Sequence, residues 1–588
     1  MGALLLPLLL LPLLLPRAGR PLAPTAMAPP LPRTIPSSIG LNTFFFNEGP
    51  YASEEELSVL AASGATYVRN EMVWREIEHA EGQYDWTLMD DLTAALARHR
   101  LKGMFLFGPD PPALYNLSGT CPHTPSQRAA FARWAGAAMR RYGGQGHLWE
   151  ILNEPLSFWR CETGAPPDRW CACTGAAAPP GCPSCGGGWN TSFCRELFRD
   201  ITDLHLAITA AAPPGEYLIG GGVSQAVFDC DKDQTFLQYL LSAPPLLERW
   251  DAVSVHAYRD PACTGGSFDP ETAIDSFAAT FERIRRMTPA TRQRPPVALI
   301  QSEWGYASNA YDPTHGKDGP LESTPAMQAS YLARSYLVTA LANVSVHFWY
   351  AWLDCVITPP IAPPPPPGAL PPAAVGIATG KCNYSSVGYD PRPTVWDVVV
   401  KPSYLALRTI ATGLRGLRCV GRLPTVNGTA DDFILGFAAP AAAAPPHMAA
   451  WTRRNTTQTV ALEGQAASSA EACFQVEGTL GQPQQRVCTA DGVLVLPLTR
   501  DPIYLHRAPP QAQTAAIRPP PTGWDVERSA PVLQVRAIYY NLGFGLNYGN
   551  AGLNASVKIC ASNFDASDWE VTLDRLVLAQ YTDVYFSK

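Results

Sequence analysis

The feature that most restricts the fold is an alternation of short apolar segments with amphipathic segments, running from residue 38 to residue 412. The short segments read as buried strands, and the segments between them carry apolar residues at helical spacing. We predict strands at residues 39–45, 65–69, 104–107, 148–152, 217–219, 252–256, 297–303 and 344–350. Eight strand–helix units in succession favour an α/β fold in which a parallel sheet closes into a (β/α)₈ TIM barrel.

An open, doubly wound α/β sheet is the alternative for such an alternation. A sheet of that kind normally has a glycine-rich phosphate-binding turn after its first strand. This sequence has no such turn after residues 39–45. We therefore expect the closed barrel.

Two glutamates stand at the carboxyl ends of predicted strands. Glu154 lies two residues after the end of the fourth strand, and Glu303 ends the seventh. A carboxylate in such a place is costly to desolvate, so each is either a capping or ion-paired side chain or a functional one. Since the carboxyl ends of all barrel strands meet at one mouth, we expect the two to face each other there. Two opposed carboxylates suit acid/base and nucleophilic chemistry on a glycosidic bond.

The motifs around these glutamates resemble those of clan A glycoside hydrolases, closest in type to glycoside hydrolase families 39 and 5. The matching segments, in order, are Val68-Arg69 leading to Trp74, Ile77-Glu78, Gly82-Gln83-Tyr84-Asp85-Trp86, Trp149-Glu150-Ile151-Leu152-Asn153-Glu154-Pro155, Asp251-Ala252-Val253-Ser254-Val255-His256-Ala257-Tyr258, Ser302-Glu303-Trp304-Gly305 and Lys401-Pro402-Ser403-Tyr404. The resemblance implies a retaining double displacement, with Glu154 as general acid/base and Glu303 as nucleophile. Their carboxyl groups should then lie about 5 to 5.5 Å apart.

The resemblance also implies substrate-binding roles for six residues, namely Arg69, Asn153, His256, Tyr258, Trp349 and Trp352. Asn153 would hydrogen-bond the 2-hydroxyl of the sugar, whereas Arg69, His256 and Tyr258 would support the nucleophile and the sugar. Arg69 could instead be an ion pair of the barrel interior, with Glu150 as its partner. His256 could instead be a histidine of the core.

The floor of the sugar subsite is expected to be Trp349 or Trp352, and the sequence does not decide between them. No cluster of metal-ligand residues accompanies the two glutamates in the sequence. We therefore expect neither a metal nor a cofactor.

The N-terminal residues 1–28 are expected to be a secretory signal peptide, because residues 3–16 are almost purely Leu and Pro and too few to cross a bilayer. Seven Asn-x-Ser/Thr sequons begin at Asn116, Asn190, Asn343, Asn383, Asn427, Asn455 and Asn554. Together with fifteen cysteines, they predict a secreted or lumenal, disulfide-bonded glycoprotein.

The net charge of −7, without a basic patch, argues against nucleic acid or an anionic membrane as a partner. We expect the partner to be an oligo- or polysaccharide substrate. No sequence feature predicts an oligomeric state.

Two insertions interrupt the predicted barrel of residues 38–412. The segment 156–194 holds Cys161, Cys171, Cys173, Cys182, Cys185 and Cys194. Zinc binding is possible for such a cluster, but disulfides are favoured in a secreted chain. The proline-rich segment 359–372 is expected to be an extended loop over the barrel mouth.

Short strands follow the barrel and predict a small antiparallel β-sandwich at residues 413–507. A linker at 508–529 and a partly β C-terminal tail at 530–588 complete the chain. Disulfides are expected for the pairs Cys355–Cys382, Cys473–Cys488 and Cys230–Cys263. Because fifteen is odd, at least one cysteine is free or pairs with another molecule.

Two functions remain open at this point. The first is a secreted retaining O-glycoside hydrolase that cleaves β-glycosidic bonds of a polysaccharide or glycoconjugate. The second is a non-catalytic carbohydrate-binding or cell-wall structural protein built on the same barrel. The two glutamates favour the enzyme, because a binding module has no need for both.

Overall fold

The fold is described from a computed structural model. The residues that it describes are 31, 34–35, 37–43, 45, 54–108, 112–115, 122, 124–155, 192–224, 228, 235–259, 261, 264–308, 324–354, 378–379, 399–440, 447–463, 472–507, 556–559 and 569–572.

The predicted barrel is confirmed. Its strands are β1 (Ile39–Asn42), β2 (Tyr67–Val73), β3 (Lys102–Gly108), β4 (Leu148–Glu150), β5 (Tyr217–Val223), β6 (Ala252–His256), β7 (Ala298–Trp304) and β8 (Val346–Trp349). They follow chain order around a closed parallel sheet, and β8 pairs with β1 to complete it. Closure rules out the open doubly wound sheet.

Helices connect the strands and cover the outside of the barrel. The described α-helices are α1 (Glu54–Ala62), α2 (Thr87–Arg98), α3 (Pro125–Tyr142), α4 (Ser192–Ala211), α5 (Thr235–Leu241), α6 (Pro244–Arg249), α7 (Ala273–Met287), α8 (Pro325–Leu341) and α9 (Pro402–Gly413). Helix α3 shows how capping residues in the sequence fix the start of a helix. Thr124 accepts a hydrogen bond from the Gln127 amide and Pro125 occupies the first turn, so the helix begins there.

Side chains of the barrel strands alternate between the barrel axis and the surrounding helices. The inner cluster consists of Tyr67, Met104, Leu148, Ile219, Ala252, Ala298, Ile300, Val346 and Phe348, with Leu31. Residues between them, such as Phe105, Trp149 and Leu299, belong to the cluster shared with the helices. Positions two residues beyond an inner residue therefore also face the axis, closer to the mouth. Arg69 follows Tyr67 in this way, and Glu150 follows Leu148.

The strand ends differ from the predicted bounds near the mouth. Strand β4 is shorter than residues 148–152 and ends at Glu150, whereas β2 and β5 continue to Val73 and Val223. The register of β7 shifts against both neighbours, between Val255 and His256 of β6 and between His347 and Trp349 of β8. Such bulges re-aim side chains at the rims of barrels.

The predicted β-sandwich is also confirmed. Its strands are β9 (Arg418–Arg422), β10 (Asp432–Ala438), β11 (His447–Thr452), β12 (Gln458–Glu463), β13 (Cys473–Glu477), β14 (Pro483–Cys488), β15 (Val493–Leu498) and β16 (Ile503–Arg507). Six of them form an antiparallel sheet in the order β9-β10-β11-β16-β13-β14, and β12 pairs with β15. The predicted Cys473–Cys488 disulfide joins β13 to β14.

A separate unit contains a pair of antiparallel strands, Ser556–Ile559 and Trp569–Thr572. The predicted signal peptide, residues 156–191 of the cysteine-rich insertion, the proline-rich loop and the linker lie outside the described residues. So do Cys230, Cys263, Cys355 and Cys382, so these two disulfides stay predictions. Among the helices that are described, none has both the length and the apolar character to span a bilayer.

Candidate active site

The two predicted carboxylates meet at the mouth of the barrel. A carboxylate oxygen of Glu154 and one of Glu303 lie within 4.8 Å of each other, and within the same distance of a ring nitrogen of His256. Each glutamate side chain is 15% exposed, so both are accessible yet largely shielded from bulk water. Charges brought this close in a shielded site interact much more strongly than in water.

Glu154 has an unusual backbone conformation. Its φ is 35°, in the left-handed region that a residue with a side chain rarely adopts. The neighbouring strand allows the turn, because Gly222 of β5 approaches it closely. A Cβ at residue 222 would lie 2.0 Å from the carbonyl oxygen of Leu152. Strain of this kind occurs at functional sites, where the surrounding structure fixes a side chain in one direction.

Arg69 is both an interior ion pair and a member of the site. Its Nε donates to Glu150 at 2.6 Å, and its Nη1 lies 3.2 Å from Glu303 Oε2. Burial alone lowers the pKa of Arg69, but the charges of Glu150 and Glu303 outweigh it, so the pKa lies above its usual value. The two alternatives left open by the sequence are therefore not exclusive, since one guanidinium holds an interior carboxylate and the carboxylate at the mouth.

Arg69 also orients two asparagines. Its Nη1 donates to Asn42 Oδ1 at 2.8 Å, and its Nη2 donates to Asn153 Oδ1 at 2.7 Å. Because a guanidinium can only donate, the amide oxygen of Asn153 must face Arg69 and its NH₂ group must point elsewhere. The Asn42 NH₂ group donates to the Ser302 carbonyl at 3.0 Å, next to Glu303. Sequence analysis missed Asn42, although an asparagine in the middle of the predicted strand 39–45 was a signal that could have identified it.

His256 connects the two carboxylates. Its Nδ1 lies 2.6 Å from Glu154 Oε1 and 3.8 Å from Glu303 Oε2. Burial lowers the pKa of this histidine, but the charges of Glu303 and Glu154 outweigh the burial and raise the pKa above its ordinary value. His256 is fully buried, so it belongs to the core as well as to the site.

Tyr258 contacts the second carboxylate directly. Its hydroxyl donates to Glu303 Oε1 at 2.9 Å. Glu303 thus receives a hydroxyl hydrogen bond at one oxygen and faces the Arg69 guanidinium at the other. Each oxygen of this carboxylate therefore has a donor or a cation beside it.

The two tryptophans proposed as a subsite floor lie on the outer side of the sheet. Trp349 is fully buried, and its ring centroid lies 6.1 Å from that of Tyr306. Trp352 donates its indole N–H to Glu56 of α1 at 2.8 Å and packs near Tyr404 of α9. A stacking platform must present a ring face to its ligand, so these positions suit the floor role poorly.

Tyr350 suits the floor role better. It continues the inner face of β8 after Phe348, it is partly exposed, and its ring lies 6.4 Å from the Tyr258 ring. Gly305 lets it approach, since a Cβ at residue 305 would lie 2.0 Å from the Tyr350 carbonyl oxygen. The sequence did not identify Tyr350, because the register at the end of β8 could not be fixed.

Glu154, His256 and Glu303 also have the side-chain types of a metal site, and their ligand atoms lie within 4.8 Å of one another. However, Glu154 and His256 already contact each other, and Glu303 accepts a hydrogen bond from Tyr258. The Arg69 cation beside Glu303 further disfavours a second cation. The arrangement therefore suits proton transfer and nucleophilic attack better than metal binding.

Comparison with known proteins gives matches at the level of structure alone. No protein-family model matches the sequence, and neither does any curated protein. The structure is similar to a family 39 glycoside hydrolase from Bacteroides cellulosilyticus WH2, with a TM-score of 0.55, 17% identity and 81% coverage of each chain. Weaker matches are an exported protein from Bacteroides fragilis (TM-score 0.49, 12% identity) and a GH30 endoxylanase from Clostridium papyrosolvens C71 (TM-score 0.48, 10% identity), each covering 81% of this chain and 98% of the other. The expected resemblance to family 39 is therefore confirmed as a shared fold of barrel and sandwich.

Proposed function

We propose that this protein is a secreted retaining O-glycoside hydrolase that cleaves β-glycosidic bonds of a polysaccharide or glycoconjugate. The observation that carries the proposal is the pair Glu154 and Glu303. A carboxylate oxygen of one lies within 4.8 Å of a carboxylate oxygen of the other across the barrel mouth. Retaining glycosidases hold their two carboxyl groups about 5 to 5.5 Å apart, whereas inverting enzymes need about 6.5 to 9.5 Å to admit a water. The short spacing supports retention.

The contacts of the two glutamates support different roles for them. Glu303 faces Arg69 and receives a hydrogen bond from Tyr258, so it is equipped to act as an anion and attack the anomeric carbon. Glu154 would donate its proton to the departing oxygen as the carbon–oxygen bond breaks. In the second step Glu154 would take a proton from a water molecule that displaces Glu303 from the same carbon. Two inversions at one carbon give net retention.

The neighbouring residues would bind the sugar. The NH₂ group of Asn153 is directed away from Arg69 and is available in this arrangement to donate to a 2-hydroxyl. Tyr350, partly exposed beside Tyr258, would contact an apolar face of the sugar ring. The positions of these side chains beside the two carboxylates support these roles.

Export is supported by the leucine-rich N-terminus, the sequons and the Cys473–Cys488 disulfide. Disulfides persist in oxidising compartments and are rare in the cytosol. Two sequon asparagines of the sandwich, Asn427 and Asn455, are exposed and are therefore accessible to a glycan.

The alternative function is a non-catalytic carbohydrate-binding or cell-wall structural protein. A binding module needs neither a strained glutamate nor a second carboxylate with its own arginine and tyrosine. The arrangement at the mouth thus favours the enzyme.

The test is to assay the secreted protein against a panel of aryl β-glycosides and polysaccharides. We expect turnover of at least one member, and loss of it in Glu154→Gln and Glu303→Gln. Glu81→Gln is a matched control, because the Glu81 side chain is 70% exposed and forms an ion pair with Arg133 of α3. Polysaccharide binding with no hydrolysis across the panel would support the alternative function instead.

A further inference from the structure

Two acidic residues on the segment after β6 connect the barrel to the sandwich. Glu271 Oε1 accepts hydrogen bonds from Arg334 Nε at 2.8 Å and from the Trp451 indole N–H at 2.6 Å. Its Oε2 accepts from Arg334 Nη2 at 2.6 Å. Trp451 lies on β11 of the sandwich and Arg334 on α8 of the barrel, so one buried carboxylate holds both domains.

Asp269 gathers more sandwich residues at the same place. Its Oδ1 accepts from Arg334 Nη2 at 2.8 Å and from Arg500 Nη2 at 2.5 Å, and Arg453 Nε lies 3.4 Å from Oδ2. Arg453 and Arg500 both belong to the sandwich. Since the Asp269 side chain is only 14% exposed, solvent screens these contacts weakly.

These contacts lie on the segment that carries a residue of the active site. Tyr258, which hydrogen-bonds Glu303, lies eleven residues before Asp269 on the connection from β6 to α7. The segment after β7 also contacts the chain next to Asp269. Tyr306 lies three residues after Glu303 in the chain, and its hydroxyl donates a hydrogen bond to the Phe268 carbonyl at 2.8 Å.

Arg500 reaches the segment after β7 as well. The Tyr306 ring stacks on Tyr331 at 4.6 Å, and the Tyr331 hydroxyl accepts a hydrogen bond from Arg500 Nη2 at 3.1 Å. One arginine of the sandwich therefore contacts Asp269 on the segment after β6 directly, and it reaches Tyr306 on the segment after β7 through Tyr331 of α8.

We infer that Arg500 and Trp451 are positioning residues of the active site, through which the sandwich fixes the segments after β6 and β7 and so the hydrogen bond between Tyr258 and Glu303. This inference rests on the proposed role of Glu303 as nucleophile. Displacing a catalytic group by about 1 Å can slow a reaction by about 10²-fold, so contacts remote from the reacting atoms can control turnover. The sandwich is thus a part of the catalytic unit.

The first test compares Arg500→Ala and Trp451→Phe with Arg454→Ala. Trp451→Phe removes the indole N–H and keeps an aromatic ring to pack on Phe433. Arg454 is the matched control, because its described partners Asp431 and Gln458 lie within the sandwich. We expect kcat per folded molecule to fall about tenfold in the first two variants, with KM changed less than about threefold, and Arg500→Lys to recover part of the loss. Equal kcat values in Arg500→Ala and Arg454→Ala would overturn the inference.

A double-mutant cycle tests the route through Tyr258. If Arg500 acts by placing the Tyr258 hydroxyl, Arg500→Ala should lower kcat much less in a Tyr258→Phe background than in the wild type. Full additivity of the two losses would contradict this route.

Hydrogen–deuterium exchange separates this inference from the proposed function. Arg500→Ala should speed amide exchange at residues 257–259 and 303–306, and Arg454→Ala should not. If the wild type hydrolyses no glycoside, the proposed function fails, and the exchange result still decides whether the sandwich holds these segments. Unchanged exchange in Arg500→Ala would refute the positioning role even in an active enzyme.

Discussion

Replacement of Arg69 by methionine tests how much the guanidinium at the base of the site contributes to stability. Arg69 Nε lies 2.6 Å from Glu150 Oε2, and the Glu150 side chain is completely buried. Arg69→Met would leave that carboxylate without its cation. Breaking a buried pair in this way costs about 3–5 kcal/mol, a large part of the roughly 5–15 kcal/mol that stabilises a typical protein.

An exposed pair of equal length provides the control. Arg133 Nη2 lies 2.7 Å from Glu81 Oε1, but the two side chains are 50% and 70% exposed. Solvent screening limits such a pair to about 0–1 kcal/mol, so Arg133→Met should change the stability little. Burial, and not distance, should decide the difference.

The double variant Arg69→Met/Glu150→Leu identifies the source of the loss. Removing the stranded charge should recover about 2 kcal/mol relative to Arg69→Met, since an apolar pair can replace a buried ion pair. Recovery should be partial, because Asn42 and Asn153 still lack their donor. The assay is urea unfolding, monitored by tryptophan fluorescence. A double variant no more stable than Arg69→Met would refute the reasoning.

Three further outcomes are expected. Glu303→Gln should lower the pKa of His256, measured by NMR titration, because the Glu303 charge helps to raise that pKa. The raised pKa means that protonated His256 stabilises the folded protein. This contribution to stability is complete at low pH and is lost as the pH rises through the folded-state pKa. An unchanged His256 titration would contradict the assigned cause. Gly305→Ala should lower the free energy of unfolding by about 1–3 kcal/mol in thermal denaturation, because its Cβ would meet the Tyr350 carbonyl oxygen at 2.0 Å; wild-type stability would show that this approach is not required. Cys419, a free cysteine whose pKa burial raises to about 11, should resist iodoacetamide at pH 8 in the folded protein, as measured by peptide mapping; labelling as fast as in urea would contradict the burial.

The barrel and its two carboxylates could be predicted from sequence because both follow from local patterns. Apolar periodicity marks each strand, and the end of a parallel strand is necessarily the mouth of the barrel. Glu154 and Glu303 needed no long-range information beyond that rule. The Cys473–Cys488 disulfide could also be predicted, because its two cysteines are only 15 residues apart within the predicted sandwich.

What the sequence could not predict depends on register and on distant contacts. The register of β7 shifts against β8 between His347 and Trp349, and sequence alternation does not predict such a bulge. The contact of Arg500 with Asp269 joins residues 231 positions apart, which no local pattern encodes.

The anomeric configuration of azide-rescued product tests the central assignment most directly. In Glu303→Ala, azide should occupy the space of the missing nucleophile and restore turnover with an inverted glycosyl azide. In Glu154→Ala, a dinitrophenyl glycoside needs no proton for its first step, so azide should intercept the glycosyl-enzyme and give the retained anomer. NMR of the two products distinguishes them, and the account predicts opposite anomers. The same anomer from both variants would contradict the roles assigned to Glu154 and Glu303.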